Sequence, residues 1–427
     1  MDLILNFAKK IYGNNKKLLA AIFILSLFCS LIFLLFLKNI GPVQHRIPGS
    51  DYLAYYEPMA YSIIRGEGIT LDGKVLPWIA PGWPVILSVI FSLSGLTGID
   101  RLFLIVVFNV MATALACCLL FFIAKEIFSK RVASISAFLW MTYPFNLWFL
   151  KNPNTEVPFI PLFFGAVFLC LLAIKQRSIR FIFLSGIFFG LASLTRLIAL
   201  FFPIFLALLI FFILTKEKKK TKIILATALL AGYFLTLLPW GIYTSLKEGT
   251  VIPVSDLKNN GIYYGIILME TPGGDSGTLN LSPDVLALIG RLKNENPRGN
   301  VMLSGFFLKE MLNNPSGFFK LVWLKLSRPW YATSKIWWEG KILAVQLFYL
   351  ITAFSGILYA VKKWKGKNNR MAIILSAVFY FWILASLVVS ILRYMVPVMG
   401  FLMIFSAITV GFMIDKALKR KLILYDG

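Results

Sequence analysis

Apolar runs of membrane-spanning length recur along this chain and constrain its fold more than any other feature. A helix needs roughly 20 apolar residues to cross the hydrocarbon core of a bilayer. Runs near that length lie at 18–37, 102–124, 132–150, 155–174, 197–214, 223–243, 342–361, 371–390 and 394–414, with a shorter one at 181–195. Of the 427 residues, 59% are hydrophobic and 15% charged, whereas a soluble domain has roughly half and a quarter. An ordinary soluble enzyme and a disordered chain are both excluded. The expected fold is an all-α polytopic membrane protein with about ten transmembrane helices.

The first run follows Lys9, Lys10, Lys16 and Lys17 without a small-residue cleavage site after it, which reads as a retained signal anchor. The stretch 83–97 (WPVILSVIFSLSGLT) decides the topology. If it crossed, the loops KEIFSKR and KEKKKTK would face outward. If it lies in the interface or re-enters, those loops join KQRSIR, KKWKGKNNR and the DKALKRK tail on the cytoplasmic side, as the positive-inside rule prefers. Both chain ends are then cytoplasmic. The net charge of +24 belongs to topology and anionic lipid rather than to nucleic acid. The expected organisation is a transmembrane module over 1–243 with a first outer loop at 38–101, an extracytoplasmic subdomain over 244–341, and C-terminal helices with a basic tail over 342–427. The middle segment is polar, containing Asn259, Asn260, PGGD and NENPRGN, and is long enough for a small α/β-like unit.

The four cysteines (Cys29, Cys117, Cys118, Cys170) all lie in apolar runs and read as small core residues. His45 is the sole histidine, so a His-based zinc site is not available from this chain alone. On this topology the spans carry no ionisable group near mid-depth, where a coupled transporter would need one. Asp51, Glu57, Glu156, Arg196 and Arg393 instead gather at the outer ends of helices or in the first outer loop. That placement suits a substrate whose reactive part sits at the interface and whose tail lies in lipid.

Each residue has a plain reading beside a chemical one. Asp51, after Gly49-Ser50, is either a helix N-cap or a carboxylate that takes a proton from an acceptor. Tyr52, Tyr55 and Tyr56 are either an interfacial aromatic belt or the lining of a sugar site, and Glu57 is a lower-ranked alternative base. Glu156, in LKNPNTEVPF, is either an acid in the first turn of a helix or a second acidic group, with Lys151 as a partner for it or for a lipid phosphate. Arg196 and Arg393 either snorkel to headgroups or hold a phosphate. GIFFG, Gly186 to Gly190, has the spacing of a helix-packing face, and WIAPGWP, Trp78 to Pro84, that of a structural turn.

In order along the chain these pieces resemble the GT-C membrane glycosyltransferases, the broad family of protein O-mannosyltransferases and lipid A aminoarabinose transferases. The resemblance runs through D-Y-x-x-Y at Asp51 to Tyr55, APGWPVILSVIFSLSG, the N-T-E ending at Glu156, and GLASLTR ending at Arg196. It continues through LPWGIYTSLKEGTVIPVS, NNPSGFFKLVWLKLSRPW and the R-Y-x-x-P of Arg393 to Pro397. It implies interfacial helices in the first outer loop and an inverting transfer on the extracytoplasmic side of the cytoplasmic membrane. The donor would be a sugar on an undecaprenyl- or dolichyl-type phosphate; the acceptor would be a lipid, glycan or protein. Asp51 would be the catalytic acid with Glu156 beside it, and Arg196 and Arg393 would bind the donor phosphate. Tyr52, Tyr55, Glu57, Lys151 and Tyr394 would line the pocket. No cofactor is required; a divalent metal is compatible but not implied, because the leaving group is itself an anion that arginines can stabilise. Two departures stand out: Asp51 is followed by Tyr52 rather than a second acid, and Pro239-Trp240 by Gly241, Ile242 and Tyr243 rather than an Arg-Asn pair. A lipid-glycan flippase would use the same groove and basic residues. A glycan ligase or polymerase would lean on arginines and an outer-loop histidine, for which His45 is the candidate.

Overall fold

The computed structural model describes residues 12–37, 50–76, 78–215, 217–249, 261–270, 279–297, 299–333, 335–364 and 368–417. Lys9, Lys10, His45, Asn259, Asn260, the PGGD segment and the tail beyond 417 lie outside the described residues. Among the described residues there are helices and no strand beyond one isolated bridge, Leu71 to Lys74.

The membrane bundle contains α1 (Asn15–Leu37), α4 (Arg101–Ile127), α5 (Lys130–Met141), α6 (Glu156–Gln176), α7 (Ile179–Thr195), α8 (Phe202–Ile213) and α9 (Lys219–Glu248). It closes with α14 (Glu339–Lys363), α15 (Asn368–Leu387) and α16 (Val396–Ala417). The segment between α1 and α4 supplies α2 (Glu57–Ile64) and α3 (Gly82–Thr97), and the segment before α14 supplies α10 (Gly261–Ile267), α11 (Pro283–Glu295), α12 (Asn300–Asn313) and α13 (Pro315–Ser327). Among the described residues seven helices are long and apolar enough to cross a membrane, while Gly82–Thr97, Ile179–Thr195 and Leu197–Ile213 are shorter. α6 and α16 are the most enclosed and α1 the least.

The expected span at 132–150 is not one helix. α5 stops at Met141, and a helical turn Pro144–Leu147 and a 3-10 turn Trp148–Lys151 follow. Pro144 has no N–H to continue the ladder and biases Tyr143 to extended backbone, which it adopts (ψ 112°). The segment 244–341 differs from expectation too. Its described residues form helices and turns, with a small core of Val285, Leu288, Ile289, Leu292, Leu303, Phe306 and Leu321. Amphipathic periodicity over Pro283–Glu295 and Asn300–Asn313 explains why helices, not an α/β unit, form there.

α3 is tied down at both ends. Gly82 sits against α7, where an added Cβ would be 2.7 Å from the Leu194 carbonyl oxygen, and the buried Trp83 donates from Nε1 to the Pro153 carbonyl at 3.2 Å. At its other end, Gly98 to Asp100 lead into Arg101, whose guanidinium pairs with Glu57 at 2.8 Å. WIAPGWP is thus a structural turn that pins the first outer loop to the segment before Glu156.

Small residues set the tightest contact. Gly186 faces the Leu229 carbonyl, Gly190 faces Thr236, and Gly232 faces the Phe183 carbonyl, so α7 and α9 pack backbone to backbone. A side chain at Gly232 has nowhere to go. Gly232→Leu is expected to cost about 1–3 kcal/mol or more by overpacking, whereas Gly290→Ala, with open space around it, should not lower stability. A thermal melt of the detergent-solubilised proteins checks this; equal melting temperatures would remove the packing explanation.

Candidate active site

Glu156 opens α6 and is fully buried, and it organises the site. Asn109, the buried amide in an otherwise apolar α4, donates from Nδ2 to the Leu150 and Asn152 carbonyls at 2.9 and 3.0 Å. Together with the Trp83–Pro153 bond, this fixes the loop 150–155 and delivers Glu156 to one place.

Two guanidiniums meet it there. Arg196 follows the last residue of α7 and pairs with Glu156 Oε1; it also donates to Thr155 Oγ1 at 2.8 Å. Arg393 arrives from the 3-10 turn Leu392–Tyr394 ahead of α16, donating from Nε to Oε1 and from Nη2 to Oε2 at 3.1 Å. The Leu392 N–H donates to the Ala332 carbonyl at 2.8 Å, which ties Arg393's turn to the SRPW segment after α13. There Arg328 and Glu339 form a second buried, bidentate ion pair, 2.7 and 3.1 Å. The Arg196 guanidinium also lies over the Tyr394 ring, 5.4 Å from its centroid.

One carboxylate against two guanidiniums leaves the cluster with an excess of one positive charge. Arg196 is nearly buried, but the Arg393 side chain is 33% exposed, so the excess is presented on Arg393. Burial alone would lower its pKa; Glu156 beside it more than reverses that and holds the guanidinium firmly charged.

Asp51 is within electrostatic reach of this cation. It precedes a π-helical turn, Tyr52–Tyr56, and its side chain makes no capping hydrogen bond, so the N-cap reading does not describe it. It is exposed, and close enough for its charge to act on Tyr56 and Arg393. Burial first, and then the Asp51 charge, push the Tyr56 phenol up to about 12. The wider turn of a π-helix places residue i+5 over residue i, which puts Tyr56 with Asp51, where an α-helical register points to Tyr55.

The other expected site residues divide. Tyr394 stands in the cluster. Glu57 is taken by Arg101, and Tyr52 is buried with Trp83, Leu87 and Phe91, its hydroxyl without a hydrogen-bond partner. Tyr55 is half-buried beside Tyr56 on the same turn. Lys151 lies over the Trp148 ring at 4.4 Å, and burial draws its pKa down. Tyr243 ties the segment 239–243 to the stretch before α3: its hydroxyl accepts from the Ile69 N–H at 2.9 Å, beneath Gly68, whose φ of +92° a side chain would strain. Asn109, Trp83, Thr155 and Arg328 are not singled out in sequence as site residues. An amide inside the apolar run 102–124 was the signal for Asn109. Among the described residues no group of three or more His, Cys, Asp or Glu side chains is placed to hold a metal ion.

With this geometry in view, comparison with known proteins is informative. The family model described as dolichyl-phosphate-mannose-protein mannosyltransferase matches residues 80–243, the stretch from the APGWP turn through Glu156 and Arg196 to Tyr243. No curated protein matches the chain. Among solved structures, the archaeal oligosaccharyltransferase AglB from Archaeoglobus fulgidus in complex with an inhibitory peptide and a dolichol-phosphate is similar. It has a TM-score of 0.58 at 14% identity, covering 94% of this chain and 51% of that one. The Archaeoglobus fulgidus oligosaccharyltransferase tethered to an acceptor peptide gives 0.59 at 14%, covering 94% and 50%, and the apo form gives 0.57 at 15%, covering 97% and 53%. The fold is therefore all-α and of the GT-C type, and this chain spans about half the length of the solved structures it matches.

Removing the Glu156 charge leaves two cations facing each other. Glu156→Gln is expected to destabilise the fold by about 3–5 kcal/mol, the cost of breaking a buried pair. Adding Arg196→Met should restore part of that loss. Thermal unfolding checks both; a Glu156→Gln protein as stable as wild type would mean the cluster does not hold the site together.

Proposed function

We propose that this protein is a membrane glycosyltransferase that moves a sugar from a polyprenyl-phosphate donor to an acceptor on the extracytoplasmic side. The observation that carries this reading is a clamped and partly exposed guanidinium, Arg393, with the exposed Asp51 carboxylate close enough for its charge to act on it. The family model over residues 80–243 and the dolichol-phosphate held by the similar oligosaccharyltransferase support the donor class.

In the transfer, an acceptor oxygen or nitrogen attacks the anomeric carbon from the face opposite the phosphate, and its proton passes to Asp51. The bond between that carbon and the phosphate oxygen breaks, inverting the centre. Polyprenyl phosphate leaves with the electron pair, and the growing negative charge falls on Arg393, which is held charged before the reaction begins. Both carboxylate oxygens of Glu156 are occupied by guanidiniums and none of the side chain is exposed. Glu156 is therefore a positioning residue in this reading, not an acceptor-binding acid. Arg196 braces it through Thr155 and Tyr394. The isoprenoid tail stays in the surrounding lipid, which requires no charged group at mid-depth.

Asp51→Asn is expected to keep the wild-type melting temperature, because Asp51 is exposed and caps nothing, and to lower transfer by about 10²–10⁴-fold. The measurement is release of free polyprenyl phosphate from polyprenyl-phosphate hexoses by the purified protein, with and without candidate acceptors. An unchanged rate in Asp51→Asn would overturn the assignment of Asp51. Transport of intact lipid-linked sugar across vesicles, undiminished by Asp51→Asn, would favour a flippase instead.

A further inference from the structure

The end of the bundle away from Glu156 holds a slot that the proposed transfer does not use. α14 and α16 are tightest at mid-length. Gly356 lies directly against the Phe405 backbone, Thr409 Oγ1 donates to the Thr352 carbonyl at 2.8 Å, and Ser406 Oγ donates to the Tyr349 carbonyl at 3.1 Å. Toward their C-terminal ends the large side chains Tyr359, Phe412 and Met413 replace these small ones. The result is a cavity of about 470 Å³ lined by Ser355, Tyr359, Ile408, Thr409, Phe412, Met413 and Lys416.

The walls are mostly apolar, and cations stand at the mouth. Lys416 lines the slot, and Lys363 donates to the Tyr359 hydroxyl at 3.0 Å with Lys362 beside it in the last turn of α14. Asp415, the neighbouring acid, is turned into the bundle, buried, and paired with Arg131 at 2.6 Å, so it does not offset Lys416. No acid among the described residues pairs with Lys416. An apolar slot open to the acyl region, with ammonium groups at headgroup depth, complements a molecule with a hydrocarbon chain and a negative phosphate.

We infer that this slot is a binding site for an anionic phospholipid of the adjacent leaflet, one acyl chain lying between Tyr359 and Phe412 and the phosphate on Lys416 and Lys363. It is independent of the transfer chemistry, since the slot and the Glu156 cluster share no residue.

The test is native mass spectrometry of the full-length protein in mild detergent, with phosphatidylglycerol or phosphatidylcholine of matched acyl chains. Wild type is expected to retain the anionic lipid about fivefold more than the zwitterionic one, the effect of about one lysine at a charged surface. Lys416→Glu, on an exposed last turn, should abolish that preference, and Ser355→Trp should lower retention of both lipids by filling the slot. Lys320→Ala, on α13 outside the slot, should behave as wild type. Equal retention of the two lipids by wild type, or a preference that survives Lys416→Glu, would overturn the site; the Lys416→Glu result decides it even if Ser355→Trp does not fold.

Discussion

A carboxylate with no exposed surface, held between two guanidiniums, is the constraint on which the rest of this structure depends. Burying charges costs several kcal/mol each unless they are paired and hydrogen-bonded, so Glu156 can exist at the start of α6 only if Arg196 and Arg393 reach it. Those two arginines come from the end of α7 and the turn before α16. The ion cluster therefore locks three parts of the bundle in register. The Asn109 amide, the Trp83–Pro153 bond and the Leu392–Ala332 bond hold the three approaches in place. The cluster's excess positive charge is thus a product of the fold and stands ready at a fixed point.

The bundle divides its labour between its ends. Apolar contact along α6 and α16 supplies the enclosed centre, and the glycine contacts of α7 on α9 bring that side close. Irregular backbone is concentrated at the Glu156 end: the π-helical turn, the 3-10 turns and the helix break at Pro144. Non-helical backbone at membrane depth is tolerated where protein buries it or a cavity needs it. The opposite end is regular and basic, with ordinary helix ends and paired surface charges such as Lys175 with Glu126 and Arg177 with Glu217.

Much of this was legible in the sequence because hydrophobic length and charge placement are local properties. The helical class and the gathering of Asp51, Glu156, Arg196 and Arg393 follow from where charges interrupt apolar runs. The pairing of Glu156 with Arg393 was not legible, because those residues are 237 positions apart and nothing local specifies that they meet. The resemblance alone places Glu57 and Tyr52 in the pocket; in the fold Arg101 pairs with Glu57, and Tyr52 is buried against Trp83. The break in 132–150 turned on Pro144, whose missing N–H outweighs the apolar character of its neighbours. The helical nature of 283–327 was hidden because polar composition says little about which period will be used.

The central claim is that Glu156 and Arg196 hold Arg393 as the group that receives the leaving phosphate, with Asp51 facing it. A cryo-electron microscopy structure of the full chain with bound polyprenyl phosphate tests it most directly. The expected result is phosphate density within hydrogen-bond distance of the Arg393 guanidinium, with Glu156 still paired behind it and Asp51 on the open side. Phosphate density away from Arg393, with that guanidinium still sealed against Glu156, would contradict it.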